Sequence, residues 1–192
     1  MADNDQTPEQ NQGANPTGAE GANSDMPLPP VMPLAVNLQY LKDLSFEVPQ
    51  GAATFARMTT PPNVGVNIDV QANRLEKDRP VFEVCLIIRV TANESTEQTM
   101  GQAPDPNAAP VFIAELNYAA VVTLEGAPQQ AIEPILLVEV PRLLFPFARA
   151  IISDVTREGS FPPITLQPID FVAMWQARQA QNQNFPDTKG EA

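Results

Sequence analysis

Apolar and polar side chains alternate along four stretches of the chain, after which the spacing changes. In Leu41–Val48, the residues Leu44, Phe46 and Val48 alternate with Asp43, Ser45 and Glu47. A period of two predicts a strand with one buried and one exposed face. Val64–Val70 repeats it, with Val64, Val66, Ile68 and Val70 facing one way and Asn67 and Asp69 the other. In Val81–Ala92, Phe82, Val84, Leu86, Ile88 and Val90 share a face, opposite Glu83, Cys85, Ile87, Arg89 and Thr91. Val111–Glu125 sets Phe112, Ala114, Leu116 and Tyr118 against Val111, Ile113, Glu115 and Asn117. A charged turn, Arg74–Pro80, and a proline-bearing loop, Asn93–Pro110, separate the later strands. One-sided alternation favours an antiparallel sheet with a core face and a wet, partly acidic face.

Helical spacing follows. Ala131–Glu139 is a short apolar segment with Pro134 expected in its first turn. Arg142–Glu158 carries Leu143, Leu144, Phe147, Ala148, Ile151, Ile152 and Val155, a stripe at helical spacing that reads as core or subunit interface. Pro141 and Pro146 are expected near its start, and Gly159 is expected to end it. Asp170 is placed to cap a last helix running to about Asn182, with Phe171, Met174 and Trp175 on its apolar side. Strands first and helices second predict an α+β domain, a four-stranded antiparallel sheet with helices packed on one face.

Composition changes this picture at the ends. Residues 1–35 carry five acids, no Lys or Arg, and mostly Gly, Asn, Gln, Ala and Pro. Such a segment cannot bury enough apolar surface to offset its ordering entropy, so a disordered acidic tail is expected there. It has neither the basic start nor the apolar run of a secretion signal. A folded domain is expected over 36–182, with a second flexible tail over 183–192. No stretch approaches the ~18 continuous apolar residues that read as a membrane span. About half of the net charge of −12 falls within residues 36–183. An acidic surface disfavours nucleic acid and favours basic protein partners.

Candidate chemistry is sparse. The chain has one cysteine, Cys85, and no histidine. A lone Cys forms no internal disulfide, which suits a reducing compartment, and on a strand it reads as structural. Without His, a Ser-His-Asp or Cys-His machine is excluded, and a zinc site would need three carboxylates beside one Cys. The isolated Gly51 and Gly65 make no phosphate-cradling loop. No cofactor, no metal and no catalytic activity are expected.

Four stretches carry a resemblance. Lys42-Asp43-Leu44-Ser45-Phe46-Glu47 resembles the opening strand of the SecB export chaperones. Leu144-Phe145-Pro146-Phe147-Ala148-Arg149 and Arg157-Glu158-Gly159-Ser160-Phe161-Pro162-Pro163 resemble that family's helix and helix-exit signatures, and Ile164–Phe171 its connector to the terminal helix. The likeness covers about residues 36–182. Departures include Ala119-Ala120 in place of a common Gly-Gly pair, and Glu158 between Arg157 and Gly159.

The resemblance implies a cytoplasmic homotetramer, a dimer of dimers with helices between two sheet layers. It implies a chaperone that holds non-native preproteins without ATP and hands them to the SecA motor. It puts SecA docking on Asp43, Glu47, Ile113 and Glu115, and makes Phe55 and Met58, in the segment after the first strand, candidates for client contact. The residue pattern adds one point of its own. Asp43 and Glu47 lie on the polar face of the first strand and Glu115 on the less apolar face of the fourth. If those faces coincide, three carboxylates converge without a basic residue among them. The plain alternatives stay open: a solvated sheet face for the acids, a loop anchor for Phe55 and Met58, and a packing role for Trp175. A non-enzymatic assembly or scaffold protein with one fixed partner would share the same acidic, oligomeric profile.

Overall fold

The computed structural model describes residues 33–184, apart from 104 and 106. The expected tails, 1–35 and 183–192, lie outside the described residues except at their inner ends, where Ala35 opens the first strand and 183–184 close the last helix. The chain runs β1 (Ala35–Glu47), a short crossover helix α1 (Ala52–Arg57), β2 (Asn63–Arg74), β3 (Val81–Asn93) and β4 (Pro110–Thr123). Then come α2 (Gln129–Pro134), a π-helical turn (Ile135–Glu139), α3 (Val140–Glu158) and α4 (Phe171–Asn184). The strands form one antiparallel sheet in the order β1-β4-β3-β2, so β1 and β2 are its edges.

The alternation in the sequence sets the inner face. Val84, Leu86, Ile88 and Val90 of β3 lie beside Phe112, Ala114, Leu116 and Ala120 of β4, all buried. Leu144, Ala148 and Ile152 of α3 close the core over them, with Phe171 of α4 and Phe161 of the α3–α4 connector. The helical stripe therefore divides. Leu144, Ala148 and Ile152 are core, while Leu143 and Phe147, 46% and 51% exposed, face away from it.

Three details differ from expectation. β1 starts at Ala35, six residues before the expected Leu41, because two register shifts, at Asn37 and Lys42, break its period of two. The expected gap between two helices is absent: helical backbone runs from Gln129 to Glu158, passing through Pro134, Pro141 and Pro146. A proline removes one helical N–H and crowds the carbonyl four residues back. The wider turn ahead of Pro141, closed by Val140 N–H to the Ile135 carbonyl, accommodates this without ending the helix. Gly159 does end α3, but with φ −73°, where any residue fits. The left-handed residue is Ser160, at φ 66°. A glycine is needed at 159 because a Cβ there would collide with the ring of Phe46.

Asp170 caps α4 as expected, its Oδ1 accepting from Ala173 N–H at 3.0 Å. Buried Thr156 ties the connector back: its hydroxyl donates to the Ile152 carbonyl and accepts from Ile164 N–H at 3.1 Å.

Candidate functional site, an acidic sheet face and an apolar groove

The outer sheet face is built by the β1–β4 register. Asp43 pairs with Asn117, Ser45 with Glu115 and Glu47 with Ile113. Residues directly opposite in an antiparallel pair share a face, so Asp43, Glu47, Ile113 and Glu115 stand together on the side away from the helices. Sequence reasoning missed a cation among them. Arg89 of β3 is directly opposite Glu115 on the same face, and the two side chains pair at 2.5 Å. The expectation of carboxylates without a basic residue is corrected accordingly. The signal was present in the alternation of β3, which puts Arg89 opposite the core residues Ile88 and Val90. Asp43 and Glu47 are exposed, and among the described residues neither pairs with a cation.

The shift at Lys42 sets the phase of this patch. Leu41 pairs with Tyr118 on the inner face, yet Asp43 pairs with Asn117 on the outer one, with Lys42 the extra residue between them. Tyr40 and Lys42 both reach outward to Glu83 of β3: the Tyr40 hydroxyl donates to one carboxylate oxygen and Lys42 Nζ lies 2.7 Å from the other. Those hydrogen bonds, from Lys42 first and then Tyr40, hold the Glu83 carboxyl below its ordinary value. The bond to Glu83 raises the Lys42 ammonium and the Tyr40 phenol. Below them Cys85, 2% exposed, lies 3.7 Å from Lys42 Nζ, and burial pushes its thiol up. The outer face is thus wet only in part.

Phe55 and Met58 fall on the other side of the sheet. Phe55, on α1, is 44% exposed, with its ring 5.1 Å from that of Phe161. Phe161 in turn packs on Phe112 and Phe46, at 4.6 and 6.2 Å. Met58 is half-buried against the core. Beyond them runs a groove of about 560 Å³, lined by Val64, Val66 and Ile68 of β2 and by residues 164–169 of the connector. Val64 and Val66 are 39% and 45% exposed. Sequence reasoning put Val64, Val66 and Ile68 on one strand face and 164–171 in a connector, but did not bring the two together as a groove. The inner half of β2's alternation is solvent-facing because β2 is an edge, and strand order is not written in a local pattern.

No described helix is long and apolar enough to cross a membrane. The family model described as "Preprotein translocase subunit SecB" matches residues 29–182. Protein-export protein SecB 1 of Gluconobacter oxydans (strain 621H) is 63% identical over 163 residues, 85% of this chain and 91% of that one. Protein-export protein SecB of Gluconacetobacter diazotrophicus is 60% identical over 165 residues, 86% and 92% of the two chains. A SecB-like chaperone of Mycobacterium tuberculosis, in complex with a ChAD peptide from the HigA1 antitoxin, superimposes with a TM-score of 0.52. It is 14% identical and the match covers 71% of this chain and 91% of that one, a likeness of fold.

Proposed function

Because this chain belongs to the SecB family of preprotein translocase subunits, we propose that it is an ATP-independent export chaperone that keeps preproteins unfolded in the cytoplasm and delivers them to SecA. The observation that carries the reading is the separation of two unlike surfaces by one sheet. An apolar groove runs along the open β2 edge on the helix side, and free carboxylates stand on the other side. Extended apolar grooves accept many sequences, since backbone pairing and shallow pockets do not demand one side chain. Exposed carboxylates attract a basic segment by long-range steering that weakens with salt. A carrier engaging cargo and receptor together needs two such surfaces.

On this reading Asp43 and Glu47 carry the negative charge that receives SecA, Ile113 supplies apolar contact, and Glu115 is partly neutralised by Arg89. Phe55 and Met58 extend the groove for clients, and four copies assemble as two dimers. Exposed ion pairs contribute about 0.2–1 kcal/mol each, so Asp43→Ala alone weakens SecA binding by up to about fivefold. The pair Asp43→Lys with Glu47→Lys adds repulsion and nearly abolishes it. Both positions are exposed, and the fold keeps its stability to within about 0.5 kcal/mol. The test is calorimetry of the double variant with the basic SecA tail, run beside an assay for holding a slow-folding preprotein. Preprotein holding is retained while SecA binding is lost. Unchanged SecA affinity, or equal loss of both activities, would refute the division of labour.

A further inference from the structure

A face that attracts basic segments gains nothing from a cation of its own, yet Arg89 stands among its acids. Ser45 of β1, Glu115 of β4, Arg89 of β3 and Asn67 of β2 form one row across the outer face of all four strands. Asp43 and Glu47 lie two residues to either side of Ser45, so three carboxylates gather at the β1–β4 end of the row. The neighbours of Arg89 on its own strand face, Ile87 and Thr91, carry no charge. Other cations that reach this face are committed elsewhere: Lys42 meets Glu83 at 2.7 Å and Arg178 meets Asp69 at 3.2 Å.

Glu115 does not use Arg89 up. Nη2 meets Glu115 Oε1 at 2.5 Å, the Arg89 side chain is 59% exposed, and no second carboxylate pairs with it among the described residues. A guanidinium carries five N–H donors in a planar fork, and one carboxylate takes two of them at most. Its open edge is a seat for a second carboxylate. Two strand spacings, about 10 Å, separate β3 from β1, which is about one Debye length at moderate salt. A cation held at Asp43 or Glu47 therefore still feels Arg89 as repulsion, and one aimed at Glu115 has to displace it. A carboxylate on the same incoming segment reverses the effect by landing on the guanidinium.

We propose that Arg89 is the selectivity residue of this face: it turns away segments that carry cations alone and admits those that carry a carboxylate beside their cations. The inference rests on the docking reading for the site, and adds what the docking segment must bring besides positive charge. It also explains how the face stays open. A carrier of non-native chains presents Asp43 and Glu47 to every lysine-bearing stretch of its cargo, and a purely acidic face would fill with them. Discrimination of this kind needs a repulsive element set against the wrong partner, and Arg89 supplies it.

Two nine-residue peptides test the proposal. One carries Lys, Lys and Glu separated by three-residue Gly-Ser spacers; the other has Gln in place of Glu. Each spacer lets neighbouring charges lie up to about 13 Å apart, enough to reach from β1 to β3. Anisotropy titrations against the full chain at low ionic strength read the affinities. The glutamine peptide is the more positive, and on the protein's net charge of −12 alone it would bind tighter. The wild type instead prefers the glutamate peptide, by up to about fivefold, the scale of one exposed ion pair. Arg89→Ala reverses the order, and as an exposed substitution it leaves the fold intact. Arg89→Lys, a point charge without the fork, keeps the rejection and loses part of the preference. Glu115→Gln releases the guanidinium and widens the preference. A wild type that favours the glutamine peptide, or an Arg89→Ala protein that ranks the two as wild type does, would overturn the proposal. Asp43→Lys with Glu47→Lys tests the docking reading separately: undiminished binding of both peptides there would sink that reading, whereas the order of the two peptides is the measure of Arg89. Failure of both peptides to bind the wild type would overturn the two together.

Discussion

Glu83 accepts from both Tyr40 and Lys42, and through them an edge strand is pinned to the centre of the sheet. Its carboxyl is depressed by those bonds, so the stability it contributes is present above the unfolded carboxylate value and is lost as pH falls through the folded one. Lys42 is raised by the same bond, and its share is present below the unfolded lysine value, lost only as pH rises through the folded one. The pair therefore acts across the neutral range and fails first in acid. Glu83→Gln keeps an acceptor for Tyr40 and removes the ion pair. Because Lys42 is 40% exposed, the expected loss at pH 7 is about 1 kcal/mol. Urea denaturation of wild type and variant checks this: the gap narrows towards zero as the pH drops below the carboxylate range. A gap independent of pH would mean that the variant acts through packing and not through charge.

At the scale of elements, the end of α3 depends on a close approach. Gly159→Ala puts a methyl into the ring of Phe46, which is stacked on Phe112 at 5.4 Å and cannot turn aside freely. Overpacking of this kind costs about 1–3 kcal/mol. Phe46→Leu in the same chain recovers part of it; equal stability of Gly159→Ala and wild type in urea would dispose of the idea. The glycine was visible in the sequence, its reason was not, because Phe46 lies 113 residues upstream and only the fold brings the two together. The same division holds elsewhere. All four strands were legible because inner and outer residues alternate, and the core faces of β3 and β4 came out residue by residue. The shift at Lys42 was not legible, because a one-residue bulge leaves no trace in composition. The prolines at 134, 141 and 146 misled, since their local preference for helix starts gave way to one continuous helix that the sheet needs as a cover. For the acidic patch, the faces of Asp43, Glu47, Glu115 and Arg89 all followed from periodicity, whereas the pairing of Arg89 with Glu115 required the β3–β4 register.

The whole molecule leaves apolar surface that one chain does not cover. Leu41 and Leu44 of β1 and Leu143 and Phe147 of α3, all on the helix side of the sheet, are exposed, and the Phe147 ring lies 6.0 Å from that of Tyr118 at the edge of the core. Large apolar side chains grouped in this way call for a partner surface. In the tetramer proposed above, that partner is another copy. Phe147→Asp then puts a charge into the contact without disturbing the buried side of α3. Light scattering gives about four times 20.8 kDa for the wild type and a smaller species for the variant. A wild-type monomer at micromolar concentration would rule the assembly out. One further consequence concerns Cys85, shielded beneath Lys42 on the outer face. It is the only thiol in 192 residues, and it meets solvent only when the cover above it lifts. A sulfhydryl reagent added to the native assembly therefore counts the openings of that cover: each modified molecule is one in which Lys42, alone or with the strand that carries it, has left Cys85, and no label need be introduced.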